Sequence, residues 1–223
     1  MEIIVLSLFP KMFDGFLSES IIKRAIDKNI VSIKVINFRD YSVYNNNQVD
    51  DTPYGGGAGM VLMCDPIFRC LDEIRDDDSY VVLLSPEGNI YNQEKAREYK
   101  NIKKLIIICG HYEGFDERIK EEADEIVSIG NYILTGGEIG AMAIMDSVIR
   151  LVPGVINHES LDDESFNDGL LDYPVYTKPE EYRGKKVPSI LLSGNHQKIK
   201  EYRHNERIRV TKEKRPDLLS EDV

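Results

Sequence analysis

Three short stretches combine glycine with polar residues: LLSPEG at 83–88, CGHYEGFDER at 109–118 and SIGNYILTGGE at 128–138. Glycine in such places lets main-chain atoms approach a ligand closely. The first chemistry to test is a phosphate cradle. The sequence contains no GxxxxGKS/T, and no GxGxxG opens a helix after a strand. None of the three cores holds a lysine, although a phosphate pocket usually adds a cation. The backbone of SIGNYIL, with Ile129, Ile133 and Leu134 beside it, suits a flat heterocycle better, bound by N–H and C=O groups between aliphatic side chains. Taken singly, each loop also fits plain turn chemistry. Their convergence is the informative feature.

The elements that must position these loops alternate. EIIVLSLF (2–9), VSIKVINF (31–38), YVVLLS (80–85), KLIIICG (104–110) and EIVSIG (125–130) have the β-branched, nearly continuous apolar character of buried parallel strands. Helical patterns lie between them. One spans 12–29 after Pro10, one runs to Arg75 with Asp65 as N-cap, and Asn92 caps another to about Tyr99. A fourth runs from Asp116 to about Ala123, and an apolar helix spans 138–152. This order predicts an α/β fold, a mainly parallel sheet flanked by helices. The three loops then fall at the carboxyl ends of strands, where open sheets bind ligands.

Composition sets the outer bounds. A chain of 223 residues with 42% apolar content can build a real core. Cys64, Cys70 and Cys109 lack the paired spacing of a disulfide framework or zinc site. The four histidines show no metal-binding pattern, so no metal ligands are assigned. No apolar run approaches the roughly 18–20 residues of a membrane helix, and MEIIVLSLFP has no basic leader region. A cytoplasmic protein without membrane association is expected. The net charge of −11 argues against a nucleic-acid partner taken alone, but the charge is segregated. Residues 183–216 hold eleven Lys/Arg against three acids, the asymmetry of a polyanion-facing end. A solvated helix face of mixed sign is the plainer reading of the same segment. The boundaries implied are a first domain over 1–154, a linker over 155–167 with four acids between Glu159 and Glu164, and a small helical basic domain over 168–223.

A resemblance rests on motifs in fixed order: VDDTPYGGGAGM (49–60), LSPEG (84–88), CGHYEGFDER, SIGNYILTGGE, DSVIRLVPGV (146–155), SFNDGLLDYPVYTKP (165–179), LSGNH (192–196) and RPDLL (215–219). Together they resemble the bacterial tRNA (guanine-37-N1)-methyltransferase family, of the SPOUT class. The resemblance implies a deep trefoil knot, which general topology rules would reject. It implies S-adenosylmethionine as cofactor at Leu84, Ser85 and Pro86; Gly110, Tyr112 and Glu113; Ile129, Gly130, Asn131, Tyr132, Ile133 and Leu134; and Gly136 and Gly137. It implies a homodimer with shared active sites, a tRNA substrate with guanine 37 preceded by guanine 36, and magnesium dependence without a protein ligand site.

The chemistry is consistent with that resemblance. Methyl transfer mainly needs positioning of donor and acceptor. Guanine N1 must lose a proton, which a carboxylate can accept, and charge developing at O6 needs a cation. The resemblance assigns the cation to Arg150. Its aspartate base falls on Glu164 here, one residue after Asp163, in a linker one residue short. A longer side chain on a shorter loop favours Glu164, with Asp163 the alternative. His111 stands where many members carry arginine. Gly55, Gly56, Gly57 and Gly59 could let a loop wrap a flipped base, with Asp50 accepting from a guanine edge. A flexible surface loop is the plainer alternative. Arg183, Lys185, Arg203, Arg207 and Arg209 are candidates for phosphate contacts.

Overall fold

The computed structural model describes residues 1–157 and 164–219. They form two compact units, divided between Ile156 and Asn157.

The first unit is built on a five-stranded sheet. Its strands are β1 (Glu2–Leu6), β2 (Ser32–Ile36), β5 (Ser79–Ile90), β6 (Lys104–Ile108) and β7 (Glu125–Ser128). They lie in the order β2-β1-β6-β5-β7, and every pairing is parallel. Alternate side chains serve opposite faces. Ile3, Val5, Val82, Leu105 and Ile107 face one apolar cluster, with Phe13, Ile22, Tyr99, Ile144 and Val148. Ile4, Leu6, Val81, Leu83, Ile106 and Ile108 face the other, with Phe38, Ile67, Leu71 and Ile119. Burial on both sides explains why the strand sequences show no polar alternation. No described helix is long and apolar enough to cross a membrane.

Several sequence expectations are corrected. The helix expected over 12–29 is broken: α1 (Asp14–Ser18) and α2 (Ser20–Asp27) meet at an extended Glu19, and Ser20 has a positive φ. α3 spans Cys64–Ile74 with Met63 as N-cap. Asp65 lies inside the first turn, where its carboxylate accepts from Arg69 Nε at 3.0 Å, so it does not cap. The loop over 39–61 contributes to a short hairpin, β3 (Asp50–Asp51) against β4 (Val61–Leu62). Asn92 does cap α4 (Gln93–Tyr99), accepting from Lys95 N–H at 2.9 Å. α5 is a single turn, Glu117–Lys120, and α6 spans Glu138–Ile149.

The second unit is helical with one small hairpin that the sequence reading did not anticipate, β8 (Glu181–Tyr182) with β9 (Lys185–Lys186). Its long helix α7 (His196–Lys214) is capped by Asn195, whose side chain accepts from Lys198 N–H at 3.1 Å. Among its described residues, Arg207, Val210 and Thr211 are the buried ones. The Arg207 guanidinium donates to Asp168 Oδ2 at 2.9 Å and to the Leu171 carbonyl at 3.2 Å. Thr211 Oγ1 accepts from Leu171 N–H at 2.9 Å. These contacts bind residues 168–171 along the helix.

Candidate active site

The three glycine-rich loops converge on one cavity of about 420 Å³, beyond the carboxyl ends of β5, β6 and β7 as open parallel sheets require. The first loop is an excursion within a strand. Leu84 and Asn89 both pair with Val127, so residues 85–88 bulge out of β5 before it resumes to Ile90. A Cβ on Gly88 would collide with the Ile126 carbonyl and the Val127 nitrogen, so only glycine lets the bulge close.

The second and third loops are stitched together. Gly137 N–H donates to the Gly110 carbonyl at 2.9 Å, and His111 bridges Gly136. A Cβ on Gly137 would lie 2.8 Å from the Cys109 Cα, and one on Gly110 2.8 Å from the Phe115 ring. Beneath them, Ser7 Oγ donates to Glu138 Oε1 at 2.7 Å in a buried bond, tying the end of β1 to the start of α6. Sequence gave no signal for this pair, whose members lie 131 positions apart. At the start of the third loop, Ser128 Oγ donates to the Gly130 carbonyl at 3.1 Å, and Gly130 adopts a φ of +151°.

The lining is apolar and unusually uncovered. Tyr132 is 55% exposed and Ile133 80%, with Tyr112 and Leu134 also open. Large apolar groups left to water around a concavity mark a ligand site. The cavity brings together thirteen of the expected cofactor positions, Leu84, Ser85, Pro86, Gly110, Tyr112, Glu113, Ile129, Gly130, Tyr132, Ile133, Leu134, Gly136 and Gly137. Asn131 is exposed and is not among the lining residues. Glu87, His111, Phe115, Lys120, Val127, Ser128, Thr135 and Gly140 line it as well.

Lys120 decides the electrostatics. It is the one Lys or Arg among the described lining residues. Its ammonium is held by Glu87 at 2.6 Å and Glu117 at 2.7 Å. Its hydrogen bond to Glu117, then that to Glu87, raises its pKa. The cavity therefore offers a polyphosphate no uncommitted cation. His111 Nδ1 is buried without a hydrogen-bond partner, between the Phe9 and Tyr112 rings at centroid distances of 4.9 Å. Cys109 is buried behind the site. Desolvation, reinforced by nearby Glu138, pushes its thiol well up, so it is no nucleophile.

The glycine-rich segment 55–59 reaches the cavity wall at one end. Glu113 N–H donates to the Met60 carbonyl at 3.0 Å, and the Glu113 side chain fills the space a Gly59 Cβ would need. Gly55 and Gly56 stand in open space with positive φ. Asp50 sits opposite Leu62 in the short hairpin.

Arg150 follows the last residue of α6. The cavity lies at the other end of this twelve-residue helix, about 18 Å away at 1.5 Å per residue. Arg150 is not among the cavity's lining residues. Glu164 is described in the second unit, where its carbonyl accepts from Asn167 N–H at 3.2 Å. Asp163 lies outside the described residues. Among the basic candidates, Arg207 is 8% exposed and paired with Asp168, while Arg209 pairs with Glu206 and Glu213 at 2.8 Å each. Arg183 and Arg203 instead lie over the rings of Tyr182 and Tyr173. Lys185 is exposed in β9.

A family profile described as tRNA (Guanine-1)-methyltransferase TrmD matches residues 1–221. The chain belongs to this family. A tRNA (guanine-N(1)-)-methyltransferase of Malacoplasma penetrans (strain HF-2) is 56% identical over 219 residues, covering 98% of this chain and 97% of that protein. One from Bacillus cereus (strain B4264) is 52% identical, covering 99% and 93%. One from Staphylococcus epidermidis (strain ATCC 12228 / FDA PCI 1200) is 51% identical, covering 99% and 91%. For a TrmD family member, the five-stranded parallel sheet flanked by helices is the expected α/β scaffold.

Proposed function

We propose that the chain transfers a methyl group from S-adenosylmethionine to N1 of guanine 37 in tRNA. The observation that carries this reading is the cavity at the strand ends. Its walls are glycine backbone and uncovered Tyr and Ile side chains, and its lysine is already neutralised. The residues fit a flat, uncharged heterocycle, and the buried, unpartnered His111 Nδ1 offers it one more polar contact. Leu84–Pro86, Gly110, Tyr112, Glu113, Ile129–Leu134, Gly136 and Gly137 would hold the cofactor, with Asn131 contributing at most through its backbone. S-adenosylmethionine supplies the methyl group. In this reading the chain is threaded as a knot around the cofactor, and the enzyme works in the cytoplasm with magnesium.

The protein side of the reaction is proton transfer and charge stabilisation. Glu164 accepts the N1 proton and Arg150 faces the charge that grows on guanine O6. The separation of Arg150 from its own chain's cavity supports a homodimer in which each site draws on both subunits. An apolar patch supports it too: Phe9, Met12 and Ile139 are exposed, and their elements pack together. Asp50 and the glycines at 55–59 would receive the flipped base and its guanine neighbour. The second unit, with the linker over 155–167 leading into it, would grip the tRNA backbone through Arg183 and Lys185, with Arg203 a further RNA contact; none of the three is held by a described carboxylate.

The test is methyl transfer to tRNA transcripts with guanine at 36 and 37, against transcripts with adenine at 37. Transfer to the first alone is expected; transfer to both or neither overturns the reading. Glu164→Ala should lower the rate by roughly 10²–10⁴-fold while cofactor affinity holds. Loss on Asp163→Ala with a normal Glu164→Ala would move the base to Asp163.

A further inference from the structure

The second unit contains its own concavity, of about 370 Å³. Tyr173, Val175, Tyr176, Leu192 and Ile199 form its apolar part, and Arg203 closes one side. Val175 is 76% exposed and Tyr176 49%. The Arg203 guanidinium carbon sits 4.7 Å from the Tyr173 ring centroid, and the residue is exposed. Lys178 and Glu180 are the remaining charged lining residues. Neither Lys178 nor Arg203 pairs with a described carboxylate, in a unit where Arg207, Arg209 and Arg215 all do.

We propose that this concavity is a second RNA subsite, holding one unpaired nucleobase of the bound tRNA against Tyr176 and the exposed Arg203. The inference rests on the reading of the chain as a tRNA-modifying enzyme and adds a contact away from the methyl-transfer cavity. Charge complementarity selects the occupant. One wall of the pocket, Val187, Leu191, Leu192, Ile199 and Arg203, belongs to the basic segment of an otherwise acidic chain, which holds eleven Lys/Arg and three acids over 183–216. A pre-stacked guanidinium plane beside an exposed tyrosine is the chemistry that binds splayed bases without reading sequence. Lys178 at the rim supplies a cation for the adjoining phosphate. Arg207, Arg209 and Arg215 are fixed in ion pairs, whereas Arg203 lies over the Tyr173 ring instead.

The chain has no tryptophan, so Tyr176→Trp in the full-length protein gives a single reporter that a stacked base would quench. Saturating tRNA should quench it, and a blunt RNA duplex of equal phosphate content should not. Arg203→Lys keeps the charge and loses the plane. It should raise KM for tRNA about tenfold, with cofactor affinity and the salt slope of tRNA binding unchanged. Tyr176→Ala should act alike and Tyr176→Phe should recover. Equal quenching by duplex, quenching by neither RNA, or a wild-type KM in Arg203→Lys would each overturn the subsite. These outcomes are separate from the methyl-transfer reading, which stands or falls on the transcript assay with wild-type protein.

Discussion

The two units solve opposite problems with opposite means. In the first, two apolar clusters clamp a parallel sheet, and the loops at its end are fixed by contacts so close that Gly88 and Gly137 leave no room for a Cβ against neighbouring backbone, nor Gly110 against the Phe115 ring. In the second, little is buried among the described residues, and a charged residue, Arg207, stands where a core side chain is expected. The first arrangement suits a small ligand gripped by main chain, because the cradle cannot relax. The second suits a long polyanion met by side chains, because most of its cations stay at the surface.

The comparison is broken most severely at Gly88. Gly88→Ala forces a Cβ into the backbone of β7, and a stability loss of about 3 kcal/mol is expected. Cofactor binding by calorimetry should be lost with it; an unaltered melting curve and affinity would show that the cradle can yield.

Next comes Asp168→Asn, which strands a buried guanidinium. A local loss of about 2 kcal/mol is expected, read as faster hydrogen exchange over 164–173 with no change over β5–β7. The Arg207 guanidinium holds the Asp168 carboxyl below the usual carboxylate range. Because the folded-state pKa is depressed, the stabilisation is present above the ordinary carboxylate pKa and lost as the pH falls through the folded value. The difference between wild type and Asp168→Asn should therefore shrink in acid. Equal exchange at neutral pH would remove the ion pair from the account of this unit.

Ser7→Ala is the milder probe of the first unit. Removing the one hydroxyl that donates to Glu138 should cost about 1–2 kcal/mol and weaken cofactor affinity, since Glu138 follows Gly136-Gly137 directly. Loss of stability without any change in affinity would separate the buried bond from the cavity. The smallest effect is expected for Arg209→Ala. Its ion pairs with Glu206 and Glu213 are exposed, so thermal stability should move by less than about 0.5 kcal/mol. Its tRNA affinity should fall less than that of Arg183→Ala, and the reverse order would mean that ion pairing does not hold Arg209 away from phosphate.

Much of the scaffold was legible because the signals were local. Unbroken β-branched runs announced strands buried on both faces, and Asn92 announced the start of α4. The misreadings share one cause, which is partners distant in sequence. YVVLLS gave no sign that β5 resumes after residue 88, because Asn89 and Ile90 are recruited by β7. Asp65 looked like a cap until Arg69 claimed its carboxylate. The hairpin at 181–186 turns through Arg183 and Gly184, both at positive φ, in a stretch too short for periodicity to register.

By itself the sequence determined the alternation of elements, the three glycine loops, the segregation of charge and, through its motifs, the family. These follow from residue type and order, which covalent chemistry fixes. Tertiary structure alone decided which charges are still available. Lys120 is consumed by Glu87 and Glu117, Arg207 by Asp168 across 39 positions, and Arg203 lies over a ring 30 residues away. It also put Arg150 at the far end of α6 from its own cavity. Whether a charge is neutralised depends on attraction through space, which weakens with separation, and that separation cannot be read along the chain.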